Sequence, residues 1–307
     1  TRAYHGSTVA ASSLGGMASM HGQGGTPLPG FEHVLEPDWF QHGGDLSPDE
    51  FGLKAAAVEE RILKIGADKV AAFIGEPIQG AGGVIIPPQT YWPEVQRICK
   101  KYGILRVADE VICGFGRTGN WWGFETLGIE PDVVPMAKGL SSGYLPVGAV
   151  AVADHITDVL FDKGGEFYHG YTYSGHPASC AVALENIRII EDEKLVDRVR
   201  DLAPYLAGKM SELTDHPIVG EVRSEGFIGA IELVRDKNTR GRFDDLGRVG
   251  GICRNHCFAN GLIMRACWDT MVFSPPFCIG KDEIDTWVGL ARTALDLTLA
   301  DVKDELA

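Results

Sequence analysis

The amino-acid sequence is expected to form an α/β protein. It should have a larger N-terminal unit over residues 1–195, built on a mostly parallel sheet, and a smaller C-terminal α+β unit over residues 196–307. Two observations carry this expectation. Short apolar runs alternate with stretches of helical spacing, the pattern of βα repeats. Near residue 195 that regular alternation gives way to a mixed texture. Asp49 to Ile65 is helical by spacing, with Phe51, Leu53, Ala56, Val58 and Ile62 apolar. Lys69-Val-Ala-Ala-Phe-Ile74 then reads as a buried strand that ends in Gly75-Glu76-Pro77. Tyr91 to Tyr102 is a helix feeding the strand Ile104-Leu-Arg-Val-Ala108, which Asp109 closes. Val133-Val-Pro-Met-Ala137 is a further strand, closed by Lys138, and Val147 to Val152 is another. Pro177 to Asp192 is a long helix, with Pro177 suited to its first turn. A second helix runs to Leu213, Gly226 to Val234 is a strand, and mixed structure follows. Thr1-Arg-Ala-Tyr-His-Gly6 has no initiator methionine and no element of its own, and reads as the interior of a longer protein.

Composition narrows the class. With 307 residues, 45% apolar and 23% charged, the chain is globular and has ample length for a sizeable core. A formal net charge of −14 argues against nucleic acid as a partner. No apolar run approaches a membrane span, and the start is no signal peptide, so a cytoplasmic protein is expected. The cysteines Cys99, Cys113, Cys180, Cys253, Cys257, Cys267 and Cys278 contain no CxxC pair. Cys253 and Cys257 could share a helix face beside His256, but buried thiols in a reducing compartment are the expected reading, and no metal.

Asp109 and Lys138 carry the chemistry. If the runs they close are parallel strands, both side chains project from the carboxyl edge of one sheet, where open α/β folds bind ligands. A lysine amine can form a Schiff base with pyridoxal phosphate, and a carboxylate can keep the pyridine nitrogen protonated. Gly114-Phe-Gly116-Arg-Thr-Gly119 offers a competing signal, since it matches GxGxxG and follows a strand. Its context is wrong for a dinucleotide loop. Asp109 and Glu110 stand among the residues between the strand end and the first glycine, and Asn120-Trp-Trp-Gly123 is a poor helix opening.

Four segments together identify a resemblance. Val107 to Gly119, Met136 to Gly148, Gly75-Glu-Pro-Ile-Gln-Gly-Ala-Gly-Gly83 and Tyr171-Thr-Tyr-Ser-Gly-His-Pro177 resemble class III pyridoxal-phosphate aminotransferases, which have fold type I. Among these the chain is most like the amine–pyruvate (ω-) transaminases, including those acting on polyamines. The likeness runs over essentially the whole chain. It implies that Lys138 is the Schiff-base lysine and proton shuttle, and that Asp109 faces the pyridine nitrogen. Val111 would pack on one face of the cofactor ring and Tyr4 would stack on the other. Gly6 would allow a tight turn, while His5 has no assigned role. Thr172 would reach the cofactor phosphate from the neighbouring subunit, which implies a homodimer with shared active sites. Gln79 and Ala81 would lie in the substrate-pocket loop after Glu76, which would serve either the pocket or the fold. Arg265 would be a mobile arginine that pairs with a keto-acid carboxylate and swings aside for an uncharged amine.

Two departures sharpen the substrate expectation. Relatives acting on ornithine, acetylornithine or 4-aminobutyrate place an arginine where Val272 stands, and a glutamine where Ile112 stands. Both differences point toward pyruvate as acceptor and a primary amine or polyamine as donor. A diamine or ω-amino-acid transaminase using 2-oxoglutarate is the second reading. A third is an inactive truncated paralogue serving as an interaction module, because a Gly-Ser phosphate cradle and a pocket aromatic found upstream in the family are missing. Weak cofactor binding and an uncovered strand edge are then expected of this stretch alone.

Overall fold

The computed structural model describes residues 1–306. Its first sheet holds β1 (Ala72–Gly75), β2 (Leu105–Ala108), β3 (Val133–Met136) and β4 (Ala149–Val152), in that spatial order. β1 pairs with β2 and β2 with β3 in parallel, while β4 runs antiparallel to β3. The helix Tyr91–Tyr102 makes the crossover between β1 and β2. Its buried residues Tyr91, Trp92, Val95, Ile98 and Cys99 recur at helical spacing, so one stripe faces the core. Gly103 ends it in the left-handed conformation, at φ 65°, and returns its N–H to the Cys99 carbonyl. Asp109 directly follows β2, and Lys138 follows β3 after Ala137, so both leave the carboxyl ends of neighbouring parallel strands.

Two expectations for residues 49–74 need correction. The stretch from Asp49 to Ile65 is two helices, Pro48–Ala55 and Glu59–Ile65, not one. On a straight helix Ala56 would lie about 140° from Phe51 at ~100° per residue. The break turns Ala56 and Val58 into the same buried cluster as Phe51 and Ile62. The strand expected over Lys69–Ile74 is only β1, and it is not buried: Ala72 is exposed and the rest are half-buried. Among the described residues β1 is the edge of the sheet, and one of its sides has no strand partner. That side borders a cavity of about 530 Å³ walled by residues 30–35 and 69–77.

The second sheet holds β5 (Val219–Glu225), β6 (Ile228–Leu233), β7 (Arg265–Cys267) and β8 (Thr270–Phe273), ordered β5-β6-β8-β7 and antiparallel throughout. The strand expected from Gly226 starts at Ile228, because Gly226, at φ 57°, forms the turn from β5. The helices Leu195–Ser211, Arg248–Ala259 and Lys281–Val302 close one large core, and every buried residue in it lies beyond residue 195. Cys253 and Cys257 belong to that core, while His256 reaches Asp301 at 2.7 Å. Among the described residues, no helix is long and apolar enough to cross a membrane.

Candidate active site

Lys138 is held in a conformation that L-residues avoid. Its φ is 43°, in the left-handed region, which costs about 1–2 kcal/mol for a side chain with a Cβ. Such strain persists only where surrounding structure fixes it. Asn186, buried on the helix Pro177–Asp192, supplies part of that fixing: its Nδ2 donates to the carbonyls of Gly139 at 2.8 Å and Leu140 at 3.2 Å. Gly139 lies against Phe115, where an added Cβ would sit 3.0 Å from the Phe115 Cβ. Lys138 is exposed to solvent as a residue, and partial desolvation by the groups around it lowers its pKa below the ordinary lysine value. Asp109 and Glu76 oppose that shift, and Arg265 adds to it.

Lys138 opens into a cavity of about 380 Å³ with Val111, Ile112, Arg117, Arg265, Val272 and Phe277 in its wall. The larger cavity along the β1 edge contains none of these residues. Arg265 stands exposed on the edge strand β7, directly opposite Val272 in the β7–β8 register. Arg117 belongs to the glycine-rich stretch that resembled a dinucleotide loop. That stretch makes turns, leads only to the four-residue helix Gly123–Thr126, and aims Arg117 inward. The Arg117 Nη1 donates to the carbonyls of Phe227 at 3.0 Å and Pro275 at 2.6 Å, with the guanidinium 4.5 Å from the Phe277 ring centre. Burial brings its pKa down to about 10.

Asp109 is buried and fully engaged. One carboxylate oxygen accepts the Val111 N–H at 3.0 Å, and the other lies 2.7 Å from Nδ1 of His5. His5, left without a role by the sequence, is therefore the side chain that orients Asp109. Nothing local could have revealed this, since the partners are 104 residues apart. Tyr4, half-buried, donates its backbone N–H to Glu76 at 3.1 Å, and the other Glu76 oxygen accepts the Gly80 N–H at 2.8 Å. Glu76 thus ties the N-terminal segment to the loop that follows β1. Burial pushes its pKa up to about 7. Glu110 beside Asp109 accepts the N–H groups of Gly123 and Phe124, and burial likewise takes it up to about 7.

The structure therefore gathers Lys138, Asp109, Val111 and Arg265, and brings in Tyr4 and Glu76 through backbone bonds. Ala81 and Gln79 are buried in the adjoining loop, where Gly80 and not Ala81 lines the cavity. Thr172 stands apart on an exposed turn between Tyr171 and Ser174.

Residues 1–295 match the family model for aminotransferase class III. The chain is 58% identical over 301 residues to the putrescine–pyruvate aminotransferase of Pseudomonas aeruginosa, covering 97% of this chain and 66% of that protein. It is 41% identical over 308 residues to the mitochondrial gamma aminobutyrate transaminase 1 of Solanum lycopersicum, covering 99% of this chain and 60% of that one. The solved structure of the omega transaminase from Pseudomonas jessenii in complex with PMP superposes with a TM-score of 0.96 at 41% identity, covering 99% of this chain and 68% of that chain. The chain belongs to the class III aminotransferase family. It spans about two thirds or less of the length of the two curated relatives.

Class III aminotransferases use pyridoxal phosphate, and the residues present suit it. A lysine amine that lines the cavity and a buried, oriented carboxylate lie at the ends of adjacent strands, and the cavity wall sets Val111, Ile112, Val272 and Phe277 beside the guanidinium groups of Arg117 and Arg265.

Proposed function

We propose that this chain carries the catalytic machinery of a transaminase that moves an amino group from a primary amine or polyamine to pyruvate, leaving an aldehyde or ketone and alanine. One observation bears most of the weight: a conformationally strained Lys138 lines a cavity with Val111 and Arg265 and feels the charge of Asp109. Lys138, Asp109, Val111 and Tyr4 would hold the cofactor, with Thr172 supplied by a second copy of the chain. When bound, pyridoxal phosphate supplies an electron sink for the carbanion formed at the amine-bearing carbon. Lys138, shifted toward its neutral form by partial desolvation, would take the proton from that carbon at Nζ and pass it on to the cofactor side, and would carry a proton the opposite way in the second half-reaction. Asp109, aimed by His5 and the Val111 N–H, presents a fixed negative charge to the ring nitrogen. Arg265 pairs with the carboxylate of the keto acid and leaves the cavity for an uncharged donor.

The β7–β8 register supports the choice of acceptor. Val272 faces Arg265 across the strands, so an arginine at that position would set two like charges side by side. With Val272 there, Arg265 is free to serve pyruvate alone. A shared active site also suits the exposed aromatic residues Phe161, Tyr168, Tyr171 and Tyr173, which surround Thr172 in sequence and await cover. We read residues 1–195 and 196–307 as the large and small units, and seven unpaired cysteines suit the cytoplasm.

The deciding experiment is spectroscopic. The purified chain is mixed with pyridoxal phosphate, then with putrescine or a monoamine, then with pyruvate. The visible band of protein-bound cofactor should fade with amine and return with pyruvate as alanine accumulates. Recovery with 2-oxoglutarate and not with pyruvate would transfer the reading to an ω-amino-acid transaminase. No band, from this chain or one extended at its N-terminus, would refute it.

A further inference from the structure

A second group of buried charges lies away from Lys138, where β5 meets the loop after β1. Arg223 on β5 donates its Nε to the Val84 carbonyl at 2.7 Å and its Nη2 to the Gly83 carbonyl at 2.6 Å. The same Nη2 meets Glu232 at 2.8 Å, and Nη1 pairs with Glu221. Glu232 is occupied in turn by Thr270 and Gln41, each at 2.8 Å. A guanidinium cannot neutralise itself by losing a proton, so this one is retained in the interior by its carboxylates and carbonyls.

The loop it grips is strained. Val84 has φ 53°, a genuine outlier for a β-branched residue, and its side chain is fully buried. The loop is also closed on itself. Gln79 and Ile85 exchange backbone hydrogen bonds at 3.1 and 2.9 Å, and the N–H groups of Gly83 and Val84 both return to the Gly80 carbonyl. Any movement of residues 83–84 therefore reaches Gly80. That residue lines the Lys138 cavity and packs so tightly on Ile112 that an added Cβ would lie 2.3 Å from its Cδ1.

We propose that Arg223 is a positioning residue for the substrate wall: its fork fixes the carbonyls of Gly83 and Val84, and so sets Gly80 against Ile112 where the substrate's non-reacting end would lie. The substrate part of this inference rests on the transaminase reading above. An arginine is required because four differently placed acceptors must be met by one planar group, one more than the three protons of a lysine ammonium could reach.

The test uses the full chain with Arg223→Lys. Backbone hydrogen–deuterium exchange of residues 79–86 should rise about tenfold, while exchange in the helix Lys281–Val302 stays within twofold. In the steady state, KM for the amine should rise about tenfold with kcat within threefold. A uniform rise in exchange across the chain, or an unchanged KM, would reduce Arg223 to a cement between the units and overturn the proposal. Should the lysine variant fail to fold, Glu221→Gln carries the test, since it keeps Glu232 and loosens only one side of the fork. About a threefold rise in exchange confined to residues 79–86, with KM moving in the same direction, is expected; no change in either overturns the proposal. The exchange measurement needs no turnover. Turnover by the wild-type chain, with no local exchange change in the variants, sinks this inference alone. A local exchange change in a chain that never turns over sinks the transaminase reading and, with it, the substrate role of Arg223.

Discussion

Replacing His5 with phenylalanine separates orientation from charge in the candidate site. Phenylalanine keeps a ring in the buried slot but removes the nitrogen that lies 2.7 Å from the Asp109 carboxylate. Asp109 would keep only the Val111 N–H, at 3.0 Å. A hydrogen bond to a charged group contributes about 1.5–3 kcal/mol. If that falls wholly on the transition state, at ~1.4 kcal/mol per factor of ten, kcat/KM drops about ten- to hundredfold. The assay is amine–pyruvate turnover with the loaded protein, alongside thermal melting of the unloaded chain. His5→Asn supplies an amide donor near the same place and should recover most of the loss. A phenylalanine variant within about twofold of the parent would refute the argument. An asparagine variant as poor as the phenylalanine one would assign the effect to ring packing instead.

Other outcomes follow from the same geometry. Lys138→Gly should abolish turnover yet be more stable toward urea than Lys138→Ala by about 1 kcal/mol, because only glycine accepts φ 43° without strain; the usual order, alanine above glycine, would deny the strain. Glu76 has its folded pKa raised to about 7 from 4.5, so its favourable contribution is complete below pH 4.5 and is lost as pH rises through about 7. Glu76→Gln should therefore narrow the gap in melting temperature between pH 5 and pH 8; part of the gap should remain, since Glu110 shifts the same way. An unchanged gap would assign the pH dependence elsewhere. Arg265→Leu should leave the first half-reaction, with a monoamine, within about threefold and raise KM for pyruvate about ten- to hundredfold, the range of a lost charged hydrogen bond; equal losses in both half-reactions would show that Arg265 does not discriminate between them.

What the sequence disclosed and what it hid divide along one physical line. The helix Tyr91–Tyr102, the helix Pro177–Asp192 and the strands ending at Asp109 and Lys138 are local objects. Their periodicity, first-turn proline and terminal glycine lie within a few residues of each other, and so they were legible. β5 was not, because Glu221, Arg223 and Glu225 resemble solvent-facing residues until their partners are known. The break at Ala56 was hidden as well, since Phe51, Val58 and Ile62 by themselves describe a continuous stripe. In the site, Asp109 and Lys138 announced themselves by chemistry and strand position. His5, Asn186, Arg117 and Arg223 act through partners 104, 47, 110 and 140 residues away. Each holds a backbone carbonyl or a carboxylate, and in isolation each is an ordinary polar residue. The reacting groups are thus readable one by one, whereas the groups that hold them in place exist as such only once the chain has folded. Substitutions at those four positions should therefore change the geometry of the chemistry and leave its kind unaltered.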